Sequence, residues 1–159
     1  MIVLIAGIKR SGSTAQYNMV RLIMSKRYDN LLLQGHDYEL EDVTLIKKHP
    51  FDKVLYLCSD HIFTTDRDIK EVEDSLKRFG VENRYSIESM QEHLELYKTR
   101  SHHFTFKEIT QNPKECIKRI SVILNIPVDV EEIYKEYKKI KPQKEYNPVT
   151  MLFPNHVTK

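Results

Sequence analysis

Ile2-Val3-Leu4-Ile5-Ala6 is an unbroken apolar run rich in β-branched residues and polar on neither face. That is the pattern of a parallel strand buried on both sides. A glycine-containing turn follows, and then Tyr17, Val20, Ile23 and Met24 recur at helical spacing. Strand, glycine turn and helix in that order open the kind of α/β unit that holds phosphates. Val43 to Ile46 is a second apolar run, ending at Lys47-Lys48-His49-Pro50, and His61 to Thr65 is a third strand candidate.

Ile69, Val72, Leu76 and Phe79 mark one face of a helix closed by Gly80 at a C′ position. Ile87, Met90, Leu94 and Tyr97 repeat the helical period, and His103 to Phe106 suits a fourth strand. Asn112-Pro113-Lys114-Glu115 is a helix start, with a cap, Pro at N1 and Glu at N3, and Ile117, Ile120 and Ile123 supply the stripe. Asp129 caps a last helix on Val130, Ile133, Tyr134 and Tyr137. Strands alternate with helices, which predicts a doubly wound, mostly parallel sheet of the P-loop α/β class.

The length of 159 residues suits a single domain over 1–159. A net charge of +2 over 25 basic and 23 acidic residues gives no reason to expect nucleic acid or membrane lipid as a bulk partner. Any anion site must come from local placement of Lys and Arg. Two cysteines, Cys58 and Cys116, form no disulfide or metal framework and are expected as reduced, packed thiols. The longest apolar stretch, Met1 to Ile8, is too short for a membrane span and lacks a basic leader, so a cytoplasmic protein is expected.

Gly7-Ile8-Lys9-Arg10-Ser11-Gly12-Ser13-Thr14 places four residues between two glycines, the P-loop spacing. In such a loop successive N–H groups and a helix N-terminus converge on one anion. An ATP-type loop carries Lys directly after the second Gly, where this chain has Ser13; its cations, Lys9 and Arg10, come earlier. Lys47-Lys48-His49 sets a cation and an imidazole after the second strand, although a solvated Lys pair and a loop histidine would read the same way. Arg67 and Ser75 lie eight apart where the third strand gives way to a helix. Residues eight apart on a helix differ by about 80° and about 12 Å of rise, which a long arginine at the helix start can span. A capped helix start with Asp66, Asp68 and a surface ion pair from Arg67 fits those letters equally well.

Arg10-Ser11-Gly12-Ser13-Thr14 resembles the 5′-phosphosulfate loop of the sulfotransferase family, short bacterial or viral type. Lys47-Lys48-His49 is similar to that family's Lys-x-His segment, and Arg67 with Ser75 to its Arg and Ser eight residues apart. Phe106-Lys107-Glu108-Ile109 and the tail Thr150 to Thr158 extend the likeness over nearly the whole chain. The resemblance implies a sulfotransferase that uses 3′-phosphoadenosine 5′-phosphosulfate (PAPS) and leaves 3′-phosphoadenosine 5′-phosphate (PAP). It implies that Arg10, Ser11, Gly12, Ser13 and Thr14 grip the phosphosulfate and that Arg67 and Ser75 hold the 3′-phosphate. His49 then serves as general base toward an acceptor hydroxyl or amine, and Lys47 steadies the leaving side.

The acceptor is expected to be a small molecule or carbohydrate, met by the loops Tyr28 to Asp42 and Gly80 to Glu92, with no metal required. Ala15 and Phe106 stand where many family members have an adenine-stacking aromatic and a tyrosine, and Tyr17 is the candidate substitute. A P-loop kinase and a non-catalytic adenine-nucleotide module are the competing classes. Nothing in the sequence speaks to oligomeric state.

Overall fold

The computed structural model describes residues 1–80 and 86–154. Five parallel strands form one sheet in the order β2-β3-β1-β4-β5, with β1 (Ile2–Ile5), β2 (Leu32–Gln34), β3 (Thr44–Lys47), β4 (His61–Asp66) and β5 (His102–Thr105). Seven helices among the described residues complete it: α1 (Ser13–Ser25), α2 (Lys53–Cys58), α3 (Ile69–Phe79), α4 (Ile87–Lys98), α5 (Phe106–Gln111), α6 (Pro113–Leu124) and α7 (Val130–Lys138). The expected doubly wound α/β architecture is the observed one.

The apolar run of β1 divides between two cores because alternate side chains leave opposite faces of a strand. Val3 and Ile5 join Leu45, Phe63 and Phe104 against α1, α6 and α7, where Tyr17, Ile23, Ile117, Ile120 and Ile133 are buried. Leu4 and Ala6 join Ile46, Ile62, Leu55 and Tyr97 on the other face, under α2 and α4. Burial on both faces is why β1 is apolar throughout, whereas β3 and β4 bury Thr44, Thr64 and Thr65 among their apolar residues.

The helix boundaries follow their capping residues. Asp68 accepts from the Glu71 amide and opens α3, and Gly80, at φ 70°, closes it in the left-handed region. Asp129 accepts from the amides of Glu131 and Glu132 to start α7. Asn112 precedes Pro113 at the start of α6, as read from the sequence, but makes no side-chain cap bond. β2, α2 and α5 were not foreseen: Phe106, expected in the fourth strand, instead opens α5 behind the Thr105 cap. Cys58 is exposed at the end of α2 rather than packed, whereas Cys116 is buried. No helix among the described residues is long and apolar enough to cross a membrane.

This topology sets the site. β1 lies between β3 and β4, the strands formed on either side of the point where the chain's winding reverses, and ligands collect at the carboxyl ends of strands there. Those three ends carry Gly7–Gly12, Lys47–His49 and Asp66–Arg67.

Candidate active site

The loop after β1 is drawn tightly onto β4. The Ala6 amide donates to Phe63 O at 2.9 Å and the Ile8 amide to Thr65 O at 3.2 Å. A Cβ on Gly7 would stand 1.8 Å from Thr65 Oγ1 and 2.8 Å from the Thr65 nitrogen, so only glycine allows that approach. Gly12 caps α1 at φ 91°, and a Cβ there would also press on Phe106 at 3.3 Å. Arg10, at φ 63°, is a non-glycine residue held in the left-handed region within the same loop, a strain that the surrounding bonds sustain.

α1 begins with no side-chain cap and no acidic residue in its first turn. Its leading amides, at Ser13 and Thr14, therefore face the mouth of the loop with the positive end of the helix dipole uncompensated. A bound anion satisfies such an end.

Ser11 is different from its neighbours. Its hydroxyl is fully buried, 2.5 Å from Ile8 O and 2.6 Å from Thr65 Oγ1, and its amide donates to Ile8 O. The side chain faces the inside of the loop and fixes its shape. Thr65, its partner, was not singled out in the sequence, although a hydroxyl at a strand end beside a glycine loop is a usable signal.

Arg10 links the two other cationic elements. Its Nε donates to Ser75 Oγ at 2.9 Å, and its carbonyl accepts from Arg67 Nη1 at 3.3 Å. Arg10 stacks over the Phe79 ring at 4.3 Å and Arg67 over Phe106 at 3.7 Å. Arg67 also pairs with Glu71 at 3.0 Å, and Asp68 caps α3, so both features of a plain helix start are present as well. Burial, reinforced by Arg67 and Arg78, pushes the Arg10 pKa down from its ordinary value. Positive charge held this close to Arg10 favours an anion beside it. A hollow of about 300 Å³ opens beside Arg67, lined in part by Asp66, Phe106, Lys107 and Thr110. A larger hollow of about 650 Å³ lies along α4, but Glu88, Glu92 and Glu95 line it and it holds none of these cations.

Across β1 from Arg67, Ile5 pairs with Lys47 in register, which brings the end of β3 against the loop. His49 Nδ1 lies 2.5 Å from Gly7 O. A carbonyl only accepts, so Nδ1 carries the proton and Nε2 is left with its lone pair. Burial first, then the Lys47 cation, pushes the His49 pKa down to about 3. Burial, with Arg10 and Lys9 beside it, pushes Lys47 down to about 8. The imidazole is thus neutral and in one tautomer at neutral pH, the form that accepts a proton.

Tyr17 is fully buried, with its hydroxyl donating to Val149 O, and belongs to the core rather than to any ligand surface. His103 Nδ1 bonds Thr64 Oγ1 at 2.8 Å and its Nε2 lies 3.0 Å from Asp66 without a hydrogen bond, while the His102 ring packs on Phe63 and His61. Among the described residues no group of His, Cys, Asp and Glu is placed to hold a metal ion. Residues 81–85 of the expected acceptor loop and Asn155 to Thr158 of the tail lie outside the described residues.

No family model matches the chain. No curated protein matches it in sequence. Solved structures do match in fold. Retinol dehydratase in a complex with retinol and PAP superposes with a TM-score of 0.61 at 14% identity, covering 94% of this chain and 67% of that one. Retinol dehydratase with androsterone and inactive cofactor PAP gives 0.61 and 14%, covering 94% and 66%. The chain therefore spans about two thirds of the length of these neighbours, and at that identity the likeness is one of fold.

Proposed function

We propose that this chain binds PAPS across the carboxyl ends of β3, β1 and β4 and transfers its sulfuryl group to an acceptor hydroxyl or amine. The observation that carries the reading is the junction of Arg10, Arg67 and Ser75 beside the uncapped start of α1, with a neutral imidazole one strand away. The shared fold with proteins solved with PAP supports it.

In this reading the amides of Gly12, Ser13 and Thr14 and the Arg10 guanidinium take the 5′-phosphosulfate. Ser11 acts through the shape of the loop. Arg67 and Ser75 take the 3′-phosphate, Arg67 leaving Glu71 and Ser75 leaving Arg10 to do so. A doubly phosphorylated nucleotide suits a site with Arg67 past the end of β4 and Lys47 at the end of β3 on the far side of β1, whereas ATP places all its charge at one end. Ser13 in the position of the ATP-type lysine fits the same preference.

Transfer is in line. The acceptor oxygen or nitrogen bonds to sulfur while the sulfur bond to the bridging phosphate oxygen breaks, and PAP departs. The acceptor proton passes to His49 Nε2. Negative charge grows on the departing phosphate, where Arg10 and Lys47 stand, so both cations act most strongly in the transition state. The competing classes lack an observation of this kind.

The test is transfer of radiolabelled sulfur from PAPS to a panel of small-molecule and carbohydrate acceptors, with His49→Ala alongside. Labelled product from the wild type, reduced at least about a hundredfold in the variant, agrees with the loss of a general base. Full turnover by His49→Ala rejects His49 as the base. PAP binding without any labelled product points to a binding module.

A further inference from the structure

The turn that carries His49 is held from outside the site by α4. Tyr97 is fully buried, yet its hydroxyl serves two backbone groups of that turn: it donates to Pro50 O at 2.9 Å and accepts from the Asp52 amide at 2.8 Å. One helical turn earlier, His93 Nδ1 accepts from the Phe51 amide at 2.5 Å. Three consecutive residues after His49 thus have a backbone group bonded to an α4 side chain. The Tyr97 ring packs on Phe51 at 4.9 Å, and Lys48 closes the turn with Asp52 at 2.8 Å, where Tyr38 also donates. On the other side, the imidazole is tied to the glycine loop through Gly7 O. The ring's direction is therefore set by where the backbone of the turn stands.

Resting on the reading of His49 as base, we propose that Tyr97, with His93, is a positioning residue for catalysis, holding the Lys48–Asp52 turn so that Nδ1 meets Gly7 O and Nε2 faces the acceptor. Nothing in the periodicity of α4 marks this role: Tyr97 stands on the apolar stripe with Met90 and Leu94, as a core tyrosine would. The difference lies at its hydroxyl. A buried phenol needs a hydrogen-bond partner somewhere, and here both of its bonds are spent on a single turn.

Tyr97→Phe keeps the ring and removes both bonds. The expected result is a kcat for sulfuryl transfer lowered about ten- to a hundredfold, with PAP affinity by calorimetry within about twofold of wild type. Imidazole nitrogen NMR supplies a readout that is independent of turnover. In the wild type His49 shows a protonated Nδ1 and an unprotonated Nε2; in Tyr97→Phe the two tautomers mix. A second pair keeps the test open if Tyr97→Phe folds poorly. His93→Gln, whose amide oxygen can still accept from Phe51, retains most of the turnover, and His93→Leu does not.

Unchanged nitrogen shifts for His49 in Tyr97→Phe overturn the proposal whatever happens to the rate. So does equal turnover by His93→Gln and His93→Leu. Failure of the base assignment is a separate result, since it shows as turnover by His49→Ala while the tautomer readout still reports on the turn.

Discussion

Replacing His49 with asparagine removes one titratable group while keeping an N–H donor for Gly7 O, and this exposes how strongly the site holds the imidazole neutral. Folding moves the His49 pKa from its ordinary 6.5 down to about 3. The folded protein then refuses a proton that the unfolded chain accepts, so this contribution to stability is complete above about pH 6.5 and falls away as the pH drops toward 3. At about pH 5 the unfolded imidazole is roughly 97% protonated, and the linkage RT ln(1 + 10^1.5) is about 2 kcal/mol. Partial exposure of the residue reduces this to about 1–2 kcal/mol. The assay is urea unfolding of wild type and His49→Asn near pH 7.5 and near pH 5. The other histidines are common to both proteins and cancel. Wild type should lose about 1–2 kcal/mol more than the variant between the two conditions. A difference within about 0.3 kcal/mol refutes the claim that the site holds His49 neutral.

Lys47→Met should raise stability at neutral pH by about 1–3 kcal/mol while lowering transfer at least about a hundredfold, because a cation that is buried, and beside Arg10 and Lys9, is removed but the leaving group loses its partner. Folding lowers the Lys47 pKa from 10.5 to about 8, so wild-type stability should climb across that interval and the variant's should not, as thermal melts over pH will show. Gly7→Ala sets a methyl 1.8 Å from Thr65 Oγ1 and 2.8 Å from backbone, and should cost about 2–3 kcal/mol in chemical unfolding together with most PAP binding. Ser75→Ala removes the hydroxyl that Arg10 now holds and should weaken PAP about tenfold by calorimetry, with little change in melting temperature.

The sheet was legible because its central strands are buried on both faces and so write themselves as largely apolar runs at Ile2 to Ala6 and Val43 to Ile46, and as a stretch rich in β-branched residues at His61 to Thr65. β2 was not, since Leu32–Gln34 is an edge strand of three residues whose first side chain is exposed, and its pairing with β3 depends on distant residues. α2 is only six residues long and buries Leu55 alone, too little for a periodic signal. At the site, residue types and order were readable, and the structure brings Arg10, Arg67 and Ser75 together. Side-chain direction was not readable. Ser11 points inward because Thr65 lies beneath the loop, and Tyr17 is swallowed by the packing of α1 on the segment ending at Val149. The support that α4 gives to the His49 turn joins residues more than forty positions apart, which no local pattern records.

Isothermal calorimetry of PAP against adenosine 5′-phosphate, on wild type and Arg67→Ala, weighs most directly whether these strand ends read a nucleotide phosphorylated at both ribose positions. The site as described predicts that wild type favours PAP by about ten- to a hundredfold, the worth of one charge-assisted contact to the 3′-phosphate, and that Arg67→Ala binds the two ligands within a few fold. Equal affinity in the wild type, or a preference that survives the loss of Arg67, contradicts it.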